Sequence, residues 1–134
     1  MKVNWKQTPA HLKTGRRAET AALRYLRLRG LKSIERNFLC RGGEIDLVMQ
    51  TRGFMGPAQL VFVEVKFRSQ GFEKALLSIT EEKIRKIIFA AEIFLMKNPQ
   101  FIRQPCRFDV VTVTRSRAYY RCQWLRDAWQ LDNL

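Results

Sequence analysis

Residues 43–68 read GEIDLVMQTRGFMGPAQLVFVEVKFR, which is two apolar segments separated by a loop with two glycines and a proline. This pattern predicts a β-hairpin. Three charged side chains interrupt its apolar strands, Asp46 in the first and Glu64 and Lys66 in the second. Alternate residues of a strand share a face, so pairing of the two strands would bring these three side chains together.

Two carboxylates inside apolar strands need partners, because an unpaired buried charge is costly. Mg²⁺ and Mn²⁺ are suitable partners, since such ions prefer oxygen ligands and often use one or two carboxylates plus a substrate phosphate. We therefore predict Asp46 and Glu64 as metal ligands, with Lys66 serving the attacking water or the transition state. The alternative interpretation is that Glu64 and Lys66 form a solvent-facing ion pair at a strand end.

A helical apolar pattern over Arg16–Leu28 precedes the hairpin and carries Glu19 beside its apolar stripe. Glu19 is a third candidate, both for catalysis and for the metal shell, directly or through water. The alternative is an ordinary first-turn acid that pairs with Arg16 and is favoured by the helix dipole.

The remaining pattern predicts one α/β domain over residues 15–134, preceded by a basic arm over residues 1–14. Its sheet is mixed, with about five strands flanked by helices. A capping box at 78–81 predicts a second long helix ending near Asn98, and residues 69–77 are predicted to form a mobile loop. The predicted strands are Leu31–Phe38, Glu44–Gln50, Leu60–Phe67, Phe108–Val113 and Tyr119–Leu125, with a short tail or a last turn from Arg126.

The net charge of +13 predicts a polyanionic partner. Residues 1–41 carry a balance of +9 and residues 83–134 a balance of +6, whereas residues 42–82, which hold Asp46 and Glu64, carry −2. Positive flanks around an acidic centre suit a metal-dependent nuclease, because the flanks hold phosphates and the centre holds cations. The alternative is a basic surface that aids solubility or binds RNA without chemistry.

Basic side chains on both predicted helices and after the third strand are candidates for phosphate contacts, with solvated surface charge as the alternative. They are Arg16, Arg17, Arg24, Arg68, Lys83 and Lys86. Asp109 is another acid inside an apolar strand, and a structural pair with Arg107 is the favoured interpretation.

Five motifs in this order resemble the YraN family of small bacterial proteins: Gly15–Glu19, Arg36-Asn37, Gly43–Leu47, Phe62–Arg68 and Arg107–Val111. That family is similar to the restriction-endonuclease-like superfamily of PD-(D/E)xK nucleases, near archaeal Holliday-junction resolvases. The resemblance implies a helix-flanked mixed sheet and places the motif's aspartate, second acid, lysine and helical glutamate at Asp46, Glu64, Lys66 and Glu19. No proline precedes Asp46, so the literal motif is incomplete.

The sequence thus favours a cytoplasmic, Mg²⁺- or Mn²⁺-dependent endonuclease acting on DNA, including branched or damaged DNA. The absence of a long apolar segment argues against a membrane partner. The rival interpretation is a non-catalytic module that binds DNA or structured RNA on the same fold. Sixteen arginines against nine lysines are compatible with RNA, and a homodimer stays open.

Overall fold

The computed structural model describes residues 10–54, 56–68 and 71–130. Over these residues the chain forms five strands, three α-helices and a short 3₁₀ turn. In chain order the elements are α1 (Ala10–Leu28), β1 (Lys32–Cys40), β2 (Gly43–Gln50), β3 (Leu60–Phe67), α2 (Phe72–Leu77), α3 (Glu81–Lys97), the 3₁₀ turn (Pro99–Phe101), β4 (Cys106–Ser116) and β5 (Tyr119–Trp129).

The five strands form one mixed sheet in the order β1-β2-β3-β4-β5. Neighbouring strands are antiparallel except β3 and β4, which run parallel. A parallel pair needs a long crossover connection, and α2 and α3 lie in this one. The expected fold class is therefore confirmed: a five-stranded mixed sheet flanked by helices, consistent with a restriction-endonuclease-like fold.

Two hydrophobic clusters cover the two sides of the sheet. Helix α1 buries Ala18, Ala22 and Leu26 against alternate residues of β2, β3 and β4. Helix α3 buries Ile87, Ala90 and Phe94 in the second cluster, against the other side chains of the same strands. Strand β3 contributes to both clusters, which explains its continuous apolar sequence.

Gly43 allows β2 to approach α3 closely. A Cβ at this position would collide with the main-chain carbonyl of Lys86, so a side chain cannot be accommodated without moving the helix. This contact holds the first turns of α3 over the start of β2, which is where the sequence places its acids.

The structure corrects several predicted boundaries. Helix α1 begins at Ala10, so the last residues of the predicted basic arm are helical, and positions 1–9 lie outside the described residues. Strand β5 continues to Trp129 through the segment predicted as a tail, because Phe108 pairs with Trp129 across a register shift. Part of the predicted mobile loop forms α2 (Phe72–Leu77).

The predicted capping box is also wrong. Thr80 caps α3, and its hydroxyl accepts a hydrogen bond from the main-chain N–H of Lys83. The cap thus lies two residues beyond the predicted Ser78. The end of α3 near Asn98 is confirmed. Across the described ranges, no helix is both long and apolar enough to span a membrane.

Candidate active site

Strands β2 and β3 separate at Asp46, and this separation creates the candidate site. Their ladder includes Leu47 opposite Val63 and is not continued toward the start of β2. There the Asp46 carboxylate accepts a hydrogen bond from the main-chain N–H of Val65, at 2.8 Å. The Asp46 side chain thus replaces a main-chain carbonyl as the acceptor for Val65, and this hydrogen bond holds Asp46 between the two strands.

Simple alternation along β2 does not hold at this point. Ile45 and Val48, three residues apart, both pack in the cluster formed with α3, whereas Leu47 packs in the cluster formed with α1. The irregularity lets Asp46 interact with Glu19 of α1 as well as with Glu64 of β3. The alternation of side chains along a strand predicted that Asp46 and Glu64 would lie close together. The irregularity in β2 explains why Glu19 also lies near Asp46.

The carboxyl groups of Asp46 and Glu64 are close enough for each to influence the pKa of the other. Burial raises the pKa of Glu64 to about 8, and the Asp46 carboxylate adds to this increase. Burial also raises the pKa of Asp46, although the hydrogen bond from Val65 opposes the increase. The two acids therefore behave as a coupled pair that favours either a proton or a cation.

Two lysines approach the Glu64 carboxylate. The Nζ atoms of Lys66 and Lys83 each lie 3.9 Å from its Oε1 atom. Lys83 also lies 3.7 Å from Oε1 of Glu44, so it bridges a buried acid and an exposed one. Lys66 comes from β3 and Lys83 from the first turn of α3, and the geometry places both predicted lysines beside the acids.

Glu19 approaches the pair from α1. Burial raises its pKa to about 7, the Asp46 carboxylate adds to the increase, and Arg36 and a hydrogen bond with Asn37 oppose it. Asn37 adopts a left-handed backbone conformation, with φ 52°. The structure thus brings Glu19 to the predicted position near Asp46, with Arg36 rather than Arg16 as its cationic neighbour.

Two carboxylate oxygens at this site lack hydrogen-bond partners among the described residues. They are Oε2 of Glu64 and Oε1 of Glu19, and both are buried. Because desolvated carboxylate oxygens are costly, they favour a cation nearby, and an oxygen-rich donor set suits Mg²⁺ or Mn²⁺. In the described ranges, no group of three or more acidic, histidine or cysteine side chains is arranged so that it could hold a metal ion. Asp46 and Glu64 therefore fit as a two-carboxylate site completed by water or substrate.

Three predicted phosphate contacts lie together on α1. Arg16, Arg17 and Arg24 line a cavity of about 270 Å³ with Tyr120 of β5. We call this cavity the α1 groove.

Two other predicted basic residues do not join the site. Lys86 is exposed and pairs with Glu82 on its own helix, at 3.5 Å. Arg68 is exposed, and its recorded hydrogen bond joins its main-chain N–H to Val113. Sequence reasoning missed Glu44 and Asn37 as neighbours of the acids, although both occur in motifs singled out there.

The family described as uncharacterised protein family UPF0102 matches residues 18–113. A UPF0102 protein from Nitrosococcus oceani is 41% identical over 124 residues, which is 92% of this chain and 96% of that protein. One from Saccharophagus degradans is 43% identical over 123 residues, covering 91% and 97% respectively. One from Pseudomonas putida (strain GB-1) is 43% identical over 120 residues, covering 88% and 94%.

Proposed function

The chain belongs to the uncharacterised protein family UPF0102, and we propose that it is a cytoplasmic, Mg²⁺- or Mn²⁺-dependent endonuclease acting on DNA. Branched or damaged DNA is the substrate class to test first. The proposal combines the acid–lysine cluster with the basic surface around it and with the resemblance of the motifs to PD-(D/E)xK nucleases.

The observation that carries the proposal is the state of Glu64. Its side chain is 4% exposed, one carboxylate oxygen has no hydrogen-bond partner among the described residues, and the other faces two ammonium groups at 3.9 Å. A purely structural acid would be expected to satisfy both oxygens. A buried carboxylate that lies beside a second carboxylate, and has one oxygen without a hydrogen bond, is typical of a site that binds a ligand.

Asp46 and Glu64 would hold the metal ion, and Glu19 would contribute through a water. Bound Mg²⁺ or Mn²⁺ would polarise the phosphodiester and lower the pKa of a coordinated water. The ammonium of Lys66 orients the attacking water or stabilises the negative charge that develops on the phosphorus centre. Lys83 limits repulsion between the acids before substrate binds.

The α1 groove provides the contact to the nucleic-acid backbone. Its three arginines form no ion pair with a carboxylate in the described ranges, so their charge is available for phosphates. The groove and Glu19 belong to the same helix, α1.

The decisive experiment separates binding from cleavage. Wild type, Lys66→Ala and Lys86→Ala are assayed for binding in EDTA and for cleavage in Mn²⁺, over single-stranded, duplex, flapped and four-way DNA and RNA. Lys86→Ala is the matched control, because it removes the same charge from an exposed lysine that contacts Glu82. Lys66→Ala should bind like the control but cleave at least about 100-fold more slowly, since a positioned transition-state donor is lost.

The rival function is a nucleic-acid-binding module without turnover. The unpaired arginines favour it independently of the acids. Tight binding by wild type with no cleavage of any substrate in the panel would replace the nuclease proposal with this one. Cleavage by Lys66→Ala at the wild-type rate would assign the activity to another site or to a contaminant.

A further inference from the structure

A second basic cavity lies at the other end of the sheet. It measures about 540 Å³ and is lined by residues that follow α1 and β2, precede β3 and β4, and end β5. Four arginines and two aromatic side chains contribute to it: Arg29, Arg52, Arg107, Arg126, Phe54 and Trp124. We call it the arginine cavity. From Gln59 in its wall to Glu64 is about 17 Å along β3, so it is separate from the candidate active site.

A buried aspartate holds part of this cavity in place. Asp109 is 0% exposed and accepts hydrogen bonds from Nε of Arg107 at 3.1 and 3.2 Å and from Nε1 of Trp124 at 2.9 Å. Nη1 of Arg107 donates to the side-chain oxygen of Gln59 at 2.9 Å. The guanidinium and the indole are therefore oriented before any ligand arrives, as a specific anion site requires.

The positive charge of the cavity is largely uncompensated. Among the described residues, Arg29, Arg52 and Arg126 have no carboxylate partner, and no acidic side chain lines the cavity. Nη2 of Arg107 has no hydrogen bond within the described part of the chain. Planar guanidinium groups with free donors match the oxygens of a phosphate.

The aromatic groups add a second recognition element. The guanidinium carbon of Arg126 lies 4.0 Å from the centroid of the Trp124 ring, so the guanidinium stacks over one face of the indole. Phe54, at the rim, is 87% exposed, which is unusual for a side chain without a partner to cover it. Nucleic-acid bases stack on such aromatic and guanidinium planes.

We propose that the arginine cavity binds phosphate-bearing nucleotides of a single nucleic-acid strand, with the arginines on the phosphates and Phe54 under a base. The volume suits a nucleotide-sized unit, whereas a duplex is too wide to enter a cavity of this size. A neighbouring cavity of about 490 Å³ shares Gln59, Arg107 and Arg126 with it, which gives room for consecutive nucleotides. This site goes beyond the proposed cleavage and does not depend on the metal.

The test measures binding in EDTA, so that the acidic site contributes no metal-dependent affinity. Fluorescence anisotropy compares a labelled oligothymidylate, a duplex of equal length and the mononucleotide dTMP as competitor. Arg52→Gln/Arg126→Gln is compared with Arg85→Gln/Arg117→Gln, which removes the same charge from exposed arginines outside both cavities. The cavity variant should bind the single strand about tenfold more weakly than the control variant, with an equal effect of both on the duplex.

Base stacking is tested with Phe54→Ala against Met96→Ala, another exposed apolar side chain. Phe54→Ala should weaken single-strand binding about fivefold or more, and Met96→Ala should leave it unchanged. The indole N–H resonance of Trp124, assigned with Trp124→Phe, should shift on addition of the oligonucleotide. The substituted Arg52, Arg126 and Phe54 are exposed, so urea midpoints should match wild type.

Three results would overturn the proposal. Equal losses of single-strand affinity in the cavity and control arginine variants would reduce the effect to general charge. An unshifted Trp124 resonance would place the strand elsewhere. Equal affinity for dTMP and the oligonucleotide would identify a free nucleotide, rather than a strand, as the ligand. Each result leaves the cleavage assay of Lys66→Ala unaffected, so the two proposals fail independently.

Discussion

Glu64 and Asp109 are buried acids on adjacent parallel strands, and their surroundings differ. They lie one register position apart, since Val63 pairs with Asp109 and Glu64 pairs with Val110. Asp109 receives hydrogen bonds from a guanidinium, an indole and the main-chain N–H of Asp127, the last at 2.9 Å. Glu64 keeps one oxygen without a partner among the described residues and shares its space with Asp46.

This difference separates a structural acid from a functional one. An acid with all its lone pairs occupied helps to hold a sheet together, and it has no capacity left for a ligand. An acid that stays desolvated and unsatisfied raises the free energy of the folded protein, and a bound cation can recover that cost. In the sequence both acids occupy the same kind of apolar strand, so the pattern alone does not distinguish them.

The largest expected effect comes from removing the satisfied acid. Asp109→Ala leaves the guanidinium of Arg107 and the indole of Trp124 without their acceptor, so the free energy of unfolding should fall by about 3–5 kcal/mol. Urea denaturation measures the loss. Asp127→Asn is the control, since its contact with Asp109 is through the main chain, and it should change stability by less than about 0.5 kcal/mol. A stable Asp109→Ala protein would contradict the structural role.

Glu64→Gln should instead increase the free energy of unfolding when no metal is bound. In the folded protein burial raises the pKa of Glu64 to about 8, from its ordinary value of 4.5. The folded state therefore binds more protons between these values, and the free energy of unfolding should fall as pH rises from 4.5 to 8. Glu64→Gln should reduce that slope, leaving the part that Asp46 and Glu19 contribute, and gain about 2–4 kcal/mol over wild type at pH 8.

Urea midpoints at pH 5, 6.5 and 8 in EDTA measure this effect. Glu92→Gln, an exposed acid on α3, is the matched control and should keep the wild-type slope. Parallel pH curves for wild type and Glu64→Gln would show that Glu64 is not held in a desolvated state.

Binding of a metal ion should stabilise the folded protein through Asp46 and Glu64, and Asp109 should take no part in it. Mn²⁺ at ten times its dissociation constant should raise the free energy of unfolding of wild type by about 1.4 kcal/mol at neutral pH. Asp46→Asn and Glu64→Gln should lose most of this gain because each removes a proposed ligand. Equal Mn²⁺ affinity in wild type and both variants, measured by titration calorimetry, would remove these two acids from the metal site.

The smallest expected effect concerns two arginines of the α1 groove, compared with Arg107 beside Asp109. Arg107 is committed to Asp109, whereas Arg17 and Arg24 have no ion-pair partner in the described ranges. Arg17→Gln/Arg24→Gln should lower the slope of log affinity for duplex DNA against log salt by about 1.8. Mn²⁺ affinity should not change. A slope equal to that of Arg85→Gln/Arg117→Gln would show that the α1 groove does not contact the backbone.

The hairpin of β2 and β3 and helix α3 were predictable because their apolar periods are strong and their polar interruptions few. β3 has the predicted bounds, and the predicted pair of Arg107 with Asp109 is confirmed. α2 was missed because a helix of six residues has too short a pattern to detect. The end of β5 was missed because its residues alternate little and are held by pairing with β4.

The sequence by itself determined the fold class, the family and the nearness of Asp46, Glu64 and Lys66, since strand alternation and a short hairpin leave few other arrangements. Only the tertiary structure decided that Glu19 and Lys83 reach the same acids, because α1 and α3 come from opposite sides of the sheet. It also decided that Asp109 is satisfied and Glu64 is not. Hydrogen bonds between elements distant in sequence set that difference, and no local pattern encodes them.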